Sequence, residues 1–263
     1  MNNSEDLFEN ELEVFRTEAE SAIQFFYSWL AVHAVAGEHK AVYRLLNRAP
    51  LFWKTALGAL QTSTFIALGR VFDQQSRHNV DRLLKIAQSN MAVFSKDALA
   101  GRKRRGSANA DEWLAEYLVD VYVPTADDFR RLRRHVARRR RIYEENYRAL
   151  RHQVFAHKEI SHKAEIQELF GKTNIRELQQ LLIFLRKIHE GLWQLYHNGR
   201  KPTLRPARYS VKQIREQPSP ERRGRVLQER LTHEIEAFLT EVADKAQQGA
   251  PADLLNATRP RLR

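Results

Sequence analysis

FRRLRRHVARRRRIYEENYRALRHQVFAHKE, residues 129–159, is the stretch that decides how this chain folds. Phe129, Leu132, Val136, Tyr143, Tyr147, Leu150 and Val154 succeed one another at spacings of three, four or seven. That is the period of one helical face, and the arginines between them occupy the others. No apolar–polar alternation of the strand kind interrupts it.

The same period runs through the flanking sequence. Ser4 opens a helix whose apolar positions are Leu12, Phe15, Ala19, Ile23, Phe26 and Leu30, with Gly37 as its stop. Pro50 suits the first position of another, carrying Trp53, Leu57, Leu60, Ala67, Leu68 and Val71. Phe52, Phe65, Ile66 and Phe72 add apolar groups on its other faces, which predicts a central, buried helix. Shorter helices are expected over 80–87 and about 113–121, and GRKRRGSAN (101–109) reads as an exposed basic loop. A long helix begins at Thr173 or Asn174, runs through Leu178, Leu181, Leu185, Ile188, Leu192 and Leu195, and stops at HNG. The expected fold class is therefore all-α.

After Gly199 the character changes. RKPTLRPARYS and REQPSPERRG are basic and Pro-rich, as a linker is. Residues 221–247 then regain a helical stripe through Leu227, Leu231, Ile235, Leu239 and Val242. The expected organisation is a helical domain over 1–199, a linker over 200–220, and a C-terminal helix with a frayed tail over 221–263.

Composition excludes several classes. There is no cysteine, so no disulfide framework, zinc–cysteine site or cysteine nucleophile. The acidic start MNNSEDLFENELE is not a secretory signal, and the most apolar stretch, 52–72, is broken by Lys54, Gln61 and Arg70. The expectation is a cytoplasmic protein with no membrane partner. The net charge of +12 comes from two regions. Residues 101–160 hold 15 Lys/Arg against 9 Asp/Glu, residues 200–263 hold 14 against 8, and the remainder balances at 15 against 15. Concentrated positive charge suits a polyanion such as nucleic acid; a solvated surface accounts for it equally well.

Arg151 and His157 are the candidate catalytic residues. Six steps of about 100° on a regular helix put them about 240° apart, on different faces. They converge only if the helix ends or bends between them, or if a second subunit completes the site. The residue types suit RNA cleavage. Imidazole moves a proton to or from a ribose 2′-hydroxyl or a leaving oxygen, and a guanidinium grips phosphate oxygens in a fork. That route requires neither metal nor cofactor. The competing reading is a basic helix end, with Arg151 paired to Glu144 or Glu145 and a histidine favoured by the helix dipole.

LRHQVFAHKE (150–159) resembles the signature of the HEPN superfamily (higher eukaryotes and prokaryotes nucleotide-binding). There an arginine, a polar residue and, after a short gap, a histidine stand near a helix end; Arg151, His152 and His157 match those positions. FIALGRVFDQQSRHNVDRLL (65–84) is similar to the abortive-infection AbiU-type branch. The resemblance covers roughly residues 20–200. It implies a HEPN-like helical bundle, here with an additional C-terminal helical tail, that forms a homodimer with arginine and histidine from two subunits around one cleft. It implies a metal-independent ribonuclease of a toxin–antitoxin or phage-defence system, attacking through the RNA 2′-hydroxyl. RNA and an antitoxin protein are the partners so implied. Some members are not active nucleases, so the alternative is a catalytically silent module that binds nucleic acid or protein.

Three further groups complete the candidate site. His152 adjoins Arg151. Arg70 and Asp73, at i and i+3 on a mostly apolar helix, make a local ion pair or support the cleft. Arg134, Arg138, Arg141 and Arg148 are candidate phosphate-backbone contacts, or part of a solvated helix face. His152, His157 and His162 recur every five residues, unlike the i, i+4 spacing of helical zinc ligands, so no metal site is expected. No Walker loop, dinucleotide-binding glycine pattern or nucleophile elbow is present.

Overall fold

A computed structural model describes residues 3–156, 162–205, 207–216 and 226–248. The described residues are helical, without strands. In chain order the helices are α1 (Asn3–Glu38), α2 (Lys40–Arg48), α3 (Pro50–Phe72), α4 (Val80–Ser89), α5 (Lys96–Gly106) and α6 (Ala110–Val119). They continue as α7 (Ala126–Asn146), α8 (Lys163–Gly171), α9 (Ile175–Asn198), α10 (Val211–Glu216) and α11 (Leu227–Gln248). A 3-10 turn covers Met91–Phe94 and a π-helical turn covers Leu150–Ala156.

Local chemistry sets the helix ends. Asn79 caps α4 by accepting from the Arg82 amide at 2.9 Å, and Asn174 caps α9 by accepting from the Glu177 amide at 3.1 Å. In the first turn of α7, the Asp128 carboxylate accepts from the Thr125 amide at 2.9 Å and from the Tyr122 hydroxyl at 2.6 Å. Burial raises the Asp128 pKa, but these bonds outweigh it and hold the carboxyl below its usual range. Gly199 ends α9 with φ 56°, and a Cβ there would lie 2.6 Å from Val121 Cγ1.

The chain divides into two compact units, one of Met1–Ile23 with Thr62–Tyr209, the other of Gln24–Gln61 with Ser210–Arg263. In the first, α7 packs on α4, and α5 packs on α6 and α9. Phe8 meets Phe94 at 5.0 Å and Tyr196 at 5.1 Å, Phe72 stacks on Tyr143 at 5.3 Å, and Phe65 stacks on Phe155 at 4.8 Å. In the second, α11 packs on α2 and α10 around Val32, Val35, Val42, Leu239 and Ala243.

The apolar stripe of 129–154 forms the core face of α7 and of the turn into the π-helical segment: Phe129, Leu132, Val136, Tyr143, Tyr147 and Leu150 are all buried. Val154 is only half-buried. The backbone turns π-helical at Leu150, so hydrogen bonds run i to i+5 and the 100° step that placed Val154 in the stripe no longer applies.

Two expectations are corrected. Residues 101–109 are not an exposed loop: α5 runs to Gly106 behind the Ser95 cap, which accepts from the Ala98 amide at 3.2 Å. Arg102 is 10% exposed; it donates to Glu5 Oε1 at 2.7 Å and to the Tyr196 carbonyl at 2.9 Å, with its guanidinium 3.9 Å from the Tyr196 ring centre. A long aliphatic stem lets a cation pack inward once its head finds partners. Nor is α3 buried throughout. Thr64 to Phe72 supplies its buried residues, while Leu51 and Phe52 are 78% and 64% exposed. Within the stretch expected as a linker over 200–220, residues 211–216 are helical with Val211 and Ile214 buried, whereas 217–220 and the tail beyond 248 lie outside the described residues.

Candidate active site

Arg151 enters the site from the start of the π-helical turn, its amide bonded to the Tyr147 carbonyl at 2.9 Å. Its side chain lies flat on the last turn of α3. A Cβ built on Gly69 would stand 2.6 Å from Arg151 Nε and 3.1 Å from Cζ, so only glycine leaves room for the guanidinium against that backbone. Nε is buried and meets no acceptor among the described residues.

The other end of the fork faces Asp73, whose Oδ2 is 3.3 Å from Arg151 Nη1. Asp73 stands just past the C-terminus of α3, where the helix dipole disfavours an anion. Arg151 offsets that cost, as do the Tyr143 hydroxyl, which donates to Asp73 Oδ1 at 3.3 Å, and Arg148, whose Nε is 3.7 Å from the same oxygen. Burial pushes the Tyr143 phenol well above its usual range, and the Asp73 charge adds to this, so Tyr143 stays a donor.

His152 completes the cluster. Its Nε2 is 2.9 Å from Arg151 Nη1 and 3.7 Å from Asp73 Oδ2. Arginine only donates, so the shorter contact is a hydrogen bond when His152 Nε2 carries no proton. Arg151, His152 and Asp73, with Arg148 and Gln74, wall a polar cavity of about 350 Å³.

The candidates thus separate. Arg151, His152 and Asp73 meet, whereas His157 lies outside the described residues. Arg70 does not pair with Asp73 three residues on; it is 58% exposed and reaches Glu18 at 3.2 Å, at the rim of the same cavity. Nor does Arg151 pair with Glu144 or Glu145: Glu145 takes Arg141 at 2.7 Å, and Glu144 lies 3.6 Å from Arg140. The four arginines offered as phosphate contacts point to different places. Arg148 borders the Asp73 cavity, Arg134 stands among Arg130, Arg131 and Arg133, Arg138 lines a separate groove, and Arg141 is held by its own helix.

Sequence reasoning missed Gly69 and Tyr143 as parts of the site. A signal for Gly69 existed: a glycine inside an apolar helix costs about 1 kcal/mol against alanine, and such a glycine usually has a packing reason. Tyr143 carried none, because its place in the stripe already accounted for it.

Among the described residues no helix is long and apolar enough to cross a membrane. A family model, HEPN_AbiU2, described as AbiU2, matches residues 5–214. No curated protein and no solved structure matches the chain.

Proposed function

The chain belongs to the AbiU2 family, an abortive-infection HEPN-type module, and from that premise we propose that it is a metal-independent endoribonuclease with Arg151 and His157 as its catalytic residues. The observation that carries this reading is the setting of Arg151. Its side chain, 18% exposed, is laid on Gly69, tied to Asp73 at 3.3 Å and presented to a polar cavity beside His152. A surface arginine needs no such seat.

In the proposed reaction the ribose 2′-oxygen attacks the adjacent phosphorus as its proton passes to a base. The P–O5′ bond breaks, and the leaving 5′-oxygen takes a proton. The products are a 2′,3′-cyclic phosphate and a 5′-hydroxyl. His157 handles a proton, and Arg151 stabilises the charge growing on the phosphoryl oxygens. Asp73 and His152 fix the guanidinium, and Arg70 stands at the rim. A homodimer brings a second copy of Arg151 and His157 to the cleft, and an antitoxin protein holds the activity in check in cells.

The test is chemical. An RNA with 2′-O-methyl groups throughout should resist cleavage while its unmodified counterpart is cut to cyclic-phosphate ends. Cleavage of both would refute 2′-hydroxyl attack. A second reading, a catalytically silent binding module, is favoured by the Asp73 carboxylate, which already occupies part of the Arg151 fork. It predicts RNA binding without cleavage of either substrate.

A further inference from the structure

A second groove lies on the outer face of α7, away from the residues that wall the Asp73 cavity. It encloses about 610 Å³ between α7, α9 and the segment that succeeds α9. Arg138 and Arg139 line it from α7, Lys187 from α9, and Arg205 from the succeeding segment. No carboxylate is among its lining residues, and among the described residues none stands within ion-pair distance of Arg138, Arg139 or Arg205. Lys187 alone of the four is paired, with Glu190 at 2.9 Å.

Like charges gathered without counter-charge repel one another, and a bound anion relieves that repulsion. The wall is also fixed in advance. Gln179 Nε2 donates to the Tyr209 carbonyl at 2.8 Å, and the Tyr209 hydroxyl accepts from Arg176 Nε and Gln180 Nε2, each at 3.2 Å. Those bonds hold an aromatic ring in one orientation at the groove edge. A smaller recess shares His135 and Leu204 with the groove and extends the cationic surface through Arg131 and Lys201. Its carboxylate, Asp128, is already engaged by Tyr122 and Thr125.

We propose that this groove holds single-stranded RNA outside the cleavage site, with Arg138, Arg139 and Arg205 on successive phosphates and a base stacked on Tyr209. It rests on the ribonuclease reading only in naming RNA as the strand. A single strand fits because its bases are free to splay onto an aromatic face, whereas those of a duplex are stacked on one another. His135 suits the site as a neutral partner. It accepts from Arg138 at Nδ1, 2.8 Å away, and burial together with the surrounding arginines lowers its pKa, which leaves Nε2–H as a donor.

The experiment is a fluorescence-anisotropy titration of the full chain with a labelled single-stranded RNA of roughly ten nucleotides across a salt series. The double variant Arg138→Gln/Arg205→Gln should bind about tenfold or more weakly, with its log–log salt slope reduced by about 1.4. Tyr209→Leu should lose roughly tenfold with the slope unchanged, and Tyr209→Phe, which keeps the ring but not the hydroxyl bonds that orient it, should lose clearly less than Tyr209→Leu. Arg44→Gln/Arg104→Gln removes the same charge elsewhere and should bind nearly as wild type. Equal loss in that control, or no loss in the groove variants, would overturn the proposal. So would competition by a free mononucleotide or by polyglutamate, at equal charge, as effective as that of the strand. The two readings fail separately: RNA held through these residues but never cut removes the nuclease alone, and RNA cut by groove variants of undiminished affinity removes the groove alone.

Discussion

Gly69 and Arg151 touch: a single Cβ on Gly69 would stand 2.6 Å from the Arg151 Nε. The contact joins the last turn of α3 to the π-helical turn and fixes where the guanidinium goes. Gly69→Ala therefore sets two effects against each other. Alanine gains up to about 1 kcal/mol of helix propensity, while the arginine must leave its seat. The melting temperature should stay close to that of wild type, and RNA cleavage should fall on the order of 10–100-fold, the cost of displacing a catalytic group by about 1 Å. Full activity in a folded Gly69→Ala would show that the seat is incidental.

Asp73→Asn keeps the shape of the side chain and removes its charge. Loss of the pairing with Arg151 costs stability, while removal of an anion from the α3 C-terminus returns some. The first effect is larger, since Asp73 is 13% exposed and takes charge-assisted contacts from two sides, so a net loss of about 1–2 kcal/mol is expected in urea denaturation. Cleavage should drop as well. A variant more stable than wild type would mean that the dipole cost dominates.

What could be read from the sequence depends on whether each residue acts locally. The stripe from Phe129 to Leu150, the α9 stripe and the Asn174 and Gly199 ends express a fixed helical period and familiar end chemistry, so they read directly from the sequence. The site was half legible. Arg151, His152 and Asp73 could be singled out by residue type, but pairing Asp73 with Arg151 rather than Arg70 joins residues 78 apart in the chain. The π-helical turn was out of reach, because helical period alone does not show where hydrogen bonds shift from i+4 to i+5. Arg102 was misread for a similar reason: its partners, Glu5 and Tyr196, are 97 and 94 residues away.

Arg102→Ala tests the inward placement of that side chain. The arginine is 10% exposed and Glu5 is 12% exposed, so its removal leaves a largely buried carboxylate with Arg105 as its remaining ion-pair partner among the described residues. A loss of about 2–4 kcal/mol is expected, against a few tenths for Arg104→Ala, whose pair with Asp111 is exposed. Thermal denaturation of the two variants side by side checks the ranking, and equal effects would contradict it.

His189 gives the fold a pH dependence. Burial, with a contribution from Arg16, takes its pKa down to about 4, against 6.5 for the free side chain, while Glu13 and Glu190 pull weakly the other way. Between those values the unfolded chain binds the proton more readily, so stability is full above about pH 6.5 and declines as pH falls toward 4. Because the ring is part-exposed, the change attributable to it is about 1–2 kcal/mol after allowance for solvent screening. His189→Gln should flatten the stability profile in that window. A profile as steep as that of wild type would assign the slope to other groups.

The most direct test of the central claim is cleavage of total RNA and tRNA in EDTA by wild type, Arg151→Ala and His157→Ala, each checked for folding and dimerisation. The account predicts that wild type cuts without added metal and that neither folded variant does, although both still bind RNA. Cleavage by a folded His157→Ala at the wild-type rate would contradict it, as would a wild type that binds RNA and leaves it whole.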